Sequence, residues 1–400
     1  MGASSENSFL ASRAARVTLV MSCLYTAAGV TLVFLPRWLE VERQLTGAEI
    51  GAVLSLAQLA RIITGPAIAN WADGVADRRT PLRVLSLFTI AAYAAFFFLA
   101  SGFWQLLFVG FVALSLSAAM TPLIEAATLR ATADGKLTYG VARSIGSIAF
   151  IIANIAGGLL VARFGVGAAV VWILFSLISV VASSWLAMQP DPPPPHVSAA
   201  AGKSRIQLLL SSRRFVVMIL ACGLIQSAHA FYYGFSTLVW RGQGIPADVV
   251  GLLWAFGVVA EVIFLWCLPL IERRFAPEAL IIAGAAGAVI RWSIMGFAPV
   301  GWILWPLQAL HLLSFAAAHI GAMRLIFREA PEAAAATAQT LYSGMSAGLL
   351  MGLATLGSGA LYDAVGAKGY WAMALLAAGG GILALVLLTP APRTPVATPR

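Results

Sequence analysis

Few side chains in this sequence can do chemistry, and most of them stand where charge is costly. Arg61 and Glu261 hold one place in two copies of a pattern. Leu45-Thr46-Gly47-Ala48-Glu49-Ile50-Gly51 is echoed about 200 residues later by Ile245-Pro246-Ala247-Asp248-Val249-Val250-Gly251. Ten residues past each shared glycine an apolar helix carries a charge, positive in the first copy and negative in the second. Each charge lies roughly 20 Å along its helix from Gly47 or Ala247, near the middle of a hydrocarbon layer about 30 Å thick and too deep to snorkel. A charge there normally faces a bundle interior and marks a substrate or proton path.

Glu125 and Arg143 stand nine residues on either side of a turn near Asp134, so both rise roughly 13 Å above it and can pair. Such a pair either locks a helical hairpin or opens to receive a charged or polar ligand. Asn154, eleven residues beyond Arg143, falls on the same helical face and favours the binding role. Arg291 has a similar depth and needs an anionic partner or an aqueous cavity. Three intramembrane arginines against two glutamates leave one positive charge over, enough to hold a substrate carboxylate.

Histidines add groups that titrate near neutrality. Gln226, His229, Tyr233 and Ser236 make one polar stripe at helical spacing, and Gln308, His311, Phe315 and His319 make a second. Structural and proton-carrying roles are both open to them. His311 and His319 are eight residues apart, too far along a helix to chelate one ion, and no metal or cofactor is expected.

These groups need a scaffold, and composition names its class. Hydrophobic residues make up 60% of the chain and charged residues 10%, against roughly 25% charged in soluble domains. An integral membrane protein is expected. Apolar runs long enough to cross a bilayer recur at about 17–38, 48–71, 82–101, 104–129, 139–162, 167–188, 214–239, 247–270, 278–298, 302–326, 335–361 and 369–389, twelve spans in all. Lys and Arg crowd one side of them, as at Arg13, Arg78, Arg79, Arg130, Lys136, Lys203, Arg214, Arg274 and Arg328, and leave Arg37, Arg43, Arg163, Arg241 and Lys368 on the other. The positive-inside rule then puts both termini and the central linker in the cytoplasm. The same bias accounts for the net charge of +9. Without a stacking platform or a basic helix apart from the spans, it is not read as a nucleic-acid surface.

The expected architecture is an all-α membrane protein, twelve transmembrane helices in two pseudo-symmetric six-helix bundles. Residues 1–189 form the first bundle, 190–213 a cytoplasmic Pro-rich linker and 214–400 the second, with spans 3, 6, 9 and 12 outermost. The run Pro190-Asp191-Pro192-Pro193-Pro194-Pro195 suits a stiff polyproline spacer, and His196 beside it receives no role. Met1-Gly2 fails as a myristoylation signal because position 6 is Glu6. The polar start lacks the order of a cleaved signal peptide. Cys23, Cys222 and Cys267 read as packing residues within spans. Trp38, Trp71, Trp104 and Trp240, near span ends, read as an interfacial belt. Glycines such as Gly158, Gly352 and Gly359 permit close helix crossing.

Several segments together are similar to a known family. Between spans 2 and 3 the acidic-basic loop Asp73-Gly74 and Asp77-Arg78-Arg79 resembles the conformational loop of the major facilitator superfamily, with Ala69 in place of that motif's first glycine. Pro122-Leu123-Ile124-Glu125, Tyr139-Gly140-x-x-Arg143-Ser144-Ile145-Gly146-Ser147, Ser227-Ala228-His229-Ala230-Phe231-Tyr232-Tyr233-Gly234-Phe235, Gly257-Val258-Val259-Ala260-Glu261, Arg291-Trp292 and Gln308-Ala309-Leu310-His311 resemble the 3-phenylpropionate permease group, related to the lactose and nucleoside proton symporters. That resemblance implies the major facilitator fold in a bacterial inner membrane and proton-coupled import. It implies substrate contacts from Glu125 and Arg143, joined by Asn154, His229, Tyr233 and Arg61. Coupling would fall to Glu261, Arg291 and His311 or His319, and conformational control to Asp73, Asp77 and Arg78. No counterpart of lactose permease's separate proton-carrying glutamate stands in span 10, since Glu329 falls beyond it.

The expected partners are a small molecule, protons and lipid, with the chain acting as a monomer. Uptake of a small organic acid, with an aromatic acid such as 3-phenylpropionate as the example, is the first functional expectation. Symport of a sugar or nucleoside, drug efflux by antiport, and a non-transporting receptor are the others. No nucleophile, base and orienting residue come together, which argues against an enzyme.

Overall fold

Polar caps start several of the helices that the apolar runs continue. In the computed structural model, which describes residues 12–133, 137–191, 202–331 and 334–389, Ser12 accepts from the Ala15 N–H, Thr138 from Val141 and Ser212 from Phe215. Thr46 and Glu49 form a reciprocal capping box. The six spans of the first half are Arg13–Glu42, Gly47–Asp73, Arg79–Phe98, Phe103–Ala131, Tyr139–Phe164 and Gly167–Leu186. Those of the second half begin with Arg213–Gly242, Ala247–Trp266, Pro277–Met295 and Gly301–Glu329. The last helical run, Thr337–Leu388, holds 52 residues, about 78 Å at 1.5 Å per residue and far too long for one crossing. It reverses at Gly366, where φ is 57°, so it supplies spans 11 and 12. Asp134, Lys136, the prolines after Asp191, His196 and both termini lie outside the described residues. Within the expected linker, residues Gly202–Ser211 are helical.

The two shared glycines sit at matching crossings. A Cβ on Gly51 of span 2 would lie 3.0 Å from Gly359 Cα of span 11, and one on Gly251 of span 8 would lie 3.2 Å from Gly158 Cα of span 5 and 2.2 Å from the Asn154 carbonyl. Each crossing joins the first half to the second, and only glycine permits that approach. Both lie toward the end poor in Lys and Arg. There Asp363, at the end of span 11, accepts from the Gly47 and Ala48 N–H groups at 2.7 Å each. A carboxylate on the positive end of span 2 latches the two halves together.

The buried side chains repeat this division. At the basic-poor end one apolar core runs through both halves, from Val30, Phe34 and Phe96 to Phe231, Phe235 and Tyr370. Toward the basic-rich end the described residues form separate cores within each half, one around Met21, Ile124 and Leu85 in the first, and one around Phe215, Ile281 and Leu325 with a small cluster at Phe264 and Ala316 in the second. The molecule is therefore closed at one end and parted at the other. Trp38 and Trp240 belong to the closed core, 4% and 1% exposed, rather than to an interfacial belt, because Trp38 packs on Phe96 and Phe97 and Trp240 on Tyr232. Trp71 and Trp104 are exposed. Cys267 stands exposed at a joint where span 8 continues as Leu268–Arg274, so it is not a packing residue.

This geometry predicts the effect of filling a crossing. Gly251→Val should leave a protein that purifies as a folded species, yet its transport should fall to background, because the side chain meets the Asn154 carbonyl whenever this end closes. Double electron–electron resonance between labels on spans 5 and 8 should show the wide separation enriched. Normal transport by the variant would show that closure at this crossing is dispensable.

Candidate functional site

Two chambers open between the halves, and no residue of spans 3, 6, 9 or 12 lines either. The first, about 170 Å³, is bounded by Tyr25, Arg143, Ser147, Tyr233, Trp254, Glu261 and His311, among others. The second, about 180 Å³, is bounded by Gln58, Arg61, Leu54, Leu114, Thr355 and again Leu32 and Tyr233. Tyr233 and Leu32 thus form the wall between them.

In the first chamber Arg143 meets Glu125, with Nε 3.3 Å from Oε1. The hairpin of spans 4 and 5 brings both to one depth, and span 1 completes the group. Tyr25 donates to Glu125 at 2.8 Å while its ring lies under the Arg143 guanidinium, 4.8 Å away. Arg143 also donates to Ser147 at 3.0 Å. About a third of each side chain of the ion pair is exposed (35% and 34%), so the pair faces space and can exchange partners.

Glu261 comes from the kinked span 8, across the same chamber. Its partner is His311, whose Nε2 stands 3.6 Å away. The other ring nitrogen faces Arg291, which reaches it at 3.1 Å. A guanidinium can only donate, so Nδ1 accepts and the ring proton sits on Nε2, pointing to Glu261. The resulting chain is Arg291, His311, Glu261. Span 10 can aim these groups because Leu312–Ala317 winds as a π-helix, which turns Ser314 into the same cage.

Arg291 corrects an expectation. It is fully buried and has neither an anionic side chain in contact among the described residues nor a place on a chamber wall. Neutral acceptors hold its two terminal nitrogens, Gln308 at 2.7 Å, Ser314 at 3.3 Å and His311, while its Nε has no hydrogen-bond partner among the described residues. The faces of Tyr232 and Trp292, 4.6 and 4.4 Å away, complete the cage.

Two expected substrate contacts lie elsewhere. His229 is fully buried at a break in span 7; its Nδ1–H donates to the Gln226 carbonyl and its Nε2 faces Ser314, both at 3.1 Å. With both nitrogens held, it supports Ser314 and hence Arg291, and Tyr233 rather than His229 lines the chamber. Asn154 is also fully buried, between Gly29 and Gly251, with no hydrogen-bond partner for either side-chain polar atom among the described residues. Its face is that of Arg143, but by its level the two halves have closed over it. His319 pairs with Tyr342 at 3.3 Å and lines neither chamber.

Toward the basic-rich end, each half ties its own helices together. Asp77 pairs with Arg79 at 2.6 Å, while Arg78 stands 3.9 Å from Asp73 and gives its N–H to the Asp191 carbonyl. Asp191 is a hub missed in the sequence, where it reads as part of the proline run. Arg130 at 2.8 Å and Arg13 both reach its carboxylate. Arg214 and Arg328 do the same for Glu278 and Glu329 in the second half. Hydrogen bonds from Arg79 hold the Asp77 carboxyl down at about 2. Its contribution is present above the ordinary carboxyl range and lost only as pH falls through about 2. This loop is therefore no sensor of physiological pH.

Comparison with known proteins agrees with the fold. Residues 16–373 match the model of the MFS_1 like family. The chain is 31% identical over 354 residues to a probable 3-phenylpropionic acid transporter of Escherichia coli (strain K12), covering 87% of this chain and 91% of that one. It is 27% identical to a maltose permease of Geobacillus stearothermophilus, over 93% of each. Among solved structures, the nucleoside transporter NupG superposes with a TM-score of 0.76 at 16% identity, over 94% of this chain and 98% of that one, a likeness of fold. The chain belongs to the MFS_1 like family: it is a multi-pass membrane transporter of the major facilitator fold, and not an enzyme.

Proposed function

We propose that this transporter is a proton-coupled symporter that takes up a small organic acid, of the aryl-alkanoate kind that 3-phenylpropionate represents, by alternating access around the first chamber. Residues 1–189 and 214–400 would rock against each other as two bundles joined by 190–213, in a bacterial inner membrane with both termini cytoplasmic. The parted end described above then faces the cytoplasm, the state in which substrate is released.

The observation that carries this reading is the pairing of a cavity-facing Glu125–Arg143 ion pair with a second carboxylate, Glu261, on the opposite bundle. Arg143 offers a carboxylate a planar fork once Glu125 yields, and Tyr25, Tyr233 and Trp254 offer aromatic surface. Glu261, with His311 and Arg291 behind it, is the proton carrier in this scheme. His319, on the cytoplasmic side, is the alternative carrier. Asp73, Asp77 and Arg78 shape the loop between spans 2 and 3, whose geometry changes as the bundles move.

A ligand screen tests the substrate class. Ligand at a hundredfold excess over Kd stabilises a folded protein by about 2.7 kcal/mol, several degrees in Tm. 3-Phenylpropionate should raise Tm, while maltose and uridine should not. A shift with the sugar or nucleoside alone would move the substrate to a neutral polyol, with Glu125 accepting its hydroxyls.

A further inference from the structure

The second chamber contains a cation that no described residue answers. Arg143 is paired with Glu125. Arg291 is caged and linked through His311 to Glu261. Arg61 makes no hydrogen bond or ion pair among the described residues, although it lies near mid-membrane on span 2 and lines a cavity between the halves. Leaving a guanidinium unpaired at such depth is costly, and burial without a partner is normally avoided. The surplus positive charge counted in the sequence is therefore located at one atom group, in a cavity, with room beside it.

The surroundings define what fits. One turn before Arg61, the Gln58 side chain lies on the same chamber wall, its amide oxygen 3.3 Å from the Thr355 hydroxyl. Gln58 and Arg61, at i and i+3 on one helix face, present hydrogen-bond donors in adjacent positions. Leu54, Leu114 and Leu32 make the rest of the wall apolar, and Tyr233 separates this space from the first chamber. A planar carboxylate suits the guanidinium, and an apolar body of a few carbons suits the leucines.

We infer that Arg61, with Gln58, forms a second carboxylate-binding subsite, distinct from the Glu125–Arg143 pair, so that an acid is held here through its carboxylate while the aromatic wall of Tyr233 takes its body. This rests on the organic-acid reading above and sharpens it. In the first chamber the wall includes Glu261 and the cation Arg143 is already paired with Glu125, whereas the Arg61 chamber contains no acidic residue in its wall. Arg61 thus adds to the selection for the ionised form that Arg143 exerts in the first chamber once Glu125 yields.

Binding of 3-phenylpropionate and of its neutral amide, 3-phenylpropanamide, to the purified full-length protein separates the possibilities. The wild type should prefer the acid at least tenfold. Arg61→Gln should reduce that preference severalfold by weakening the acid and sparing the amide, and Arg61→Lys should restore part of it. In the unmutated protein, phenylglyoxal labelling read by mass spectrometry should show Arg61 modified, with protection by the acid and none by the amide. This arm stands even if Arg61→Gln does not fold. Acid binding unchanged in Arg61→Gln, or labelling of Arg61 indifferent to the acid, overturns the subsite and leaves the organic-acid reading intact. No binding of the acid by the wild type overturns both.

Discussion

Replacing Arg143 by alanine is expected to abolish substrate binding while leaving a folded, monodisperse protein in detergent. Two losses combine. A charge-assisted contact to a carboxylate is worth about 1.5 to 3 kcal/mol, and removing the guanidinium also leaves Glu125 as an uncompensated negative charge facing the ligand. Together they should weaken affinity for an anion by more than about a hundredfold. Stability should change less, because a third of the Arg143 side chain is exposed to the chamber and its partners Tyr25 and Ser147 can be hydrated there. Isothermal titration alongside thermal unfolding decides the matter. A variant that unfolds would make the pair a structural lock on the hairpin of spans 4 and 5. A variant that transports normally would place the site elsewhere.

The second large effect is expected at Glu261. Glutamine there mimics the protonated acid, and the negative end of the Arg291–His311–Glu261 chain disappears. Accumulation of substrate against its gradient should fail, since no proton need be bound or released for the bundles to reorient. Exchange of labelled for unlabelled substrate across the membrane should persist, because it needs binding and reorientation alone. Loss of exchange as well would show that Glu261 is needed for binding or for the conformational change itself. Accumulation intact, with the same pH dependence, would remove Glu261 from the coupling path and transfer attention to His319 and its partner Tyr342.

How far the sequence carried the site depended on what kind of geometry each residue needed. Glu125 and Arg143 meet because they belong to one hairpin, and counting residues from a turn is enough to match their depths. Gly51 and Gly251 announced the repeat, but their partners across the bundle interface, Gly359 and Gly158, are set by packing between halves. Asn154 is placed by the same kind of packing: it shares the helical face of Arg143, and the closure of the other half over that face leaves no periodic trace in the sequence. The stripe Gln308, His311, Phe315, His319 assumed α-helical spacing throughout. Through the π turn at Leu312–Ala317 the rings of His311, Phe315 and His319 still stack in one column, and the partners of its two ends, Glu261 and Tyr342, stand on other helices where the stripe gives no sign of them. Arg291 looked as if it required an acid because charge alone was counted, whereas its cage is built from neutral oxygens and ring faces. Tyr25 and Asp191 had no local signal. The first is one tyrosine in an apolar helix, and the second is hidden among prolines.

Transport by the reconstituted wild-type protein tests the central proposal most directly. Liposomes containing the purified chain, with an acidic exterior and a neutral lumen, should accumulate labelled 3-phenylpropionate above its external concentration, and a luminal pH indicator should record acidification that depends on the substrate. To exclude permeation of the neutral acid through lipid, the same signals must be absent from liposomes containing Arg143→Ala. Substrate-independent proton movement, or uptake that only equilibrates and ignores the pH gradient, would contradict proton-coupled symport.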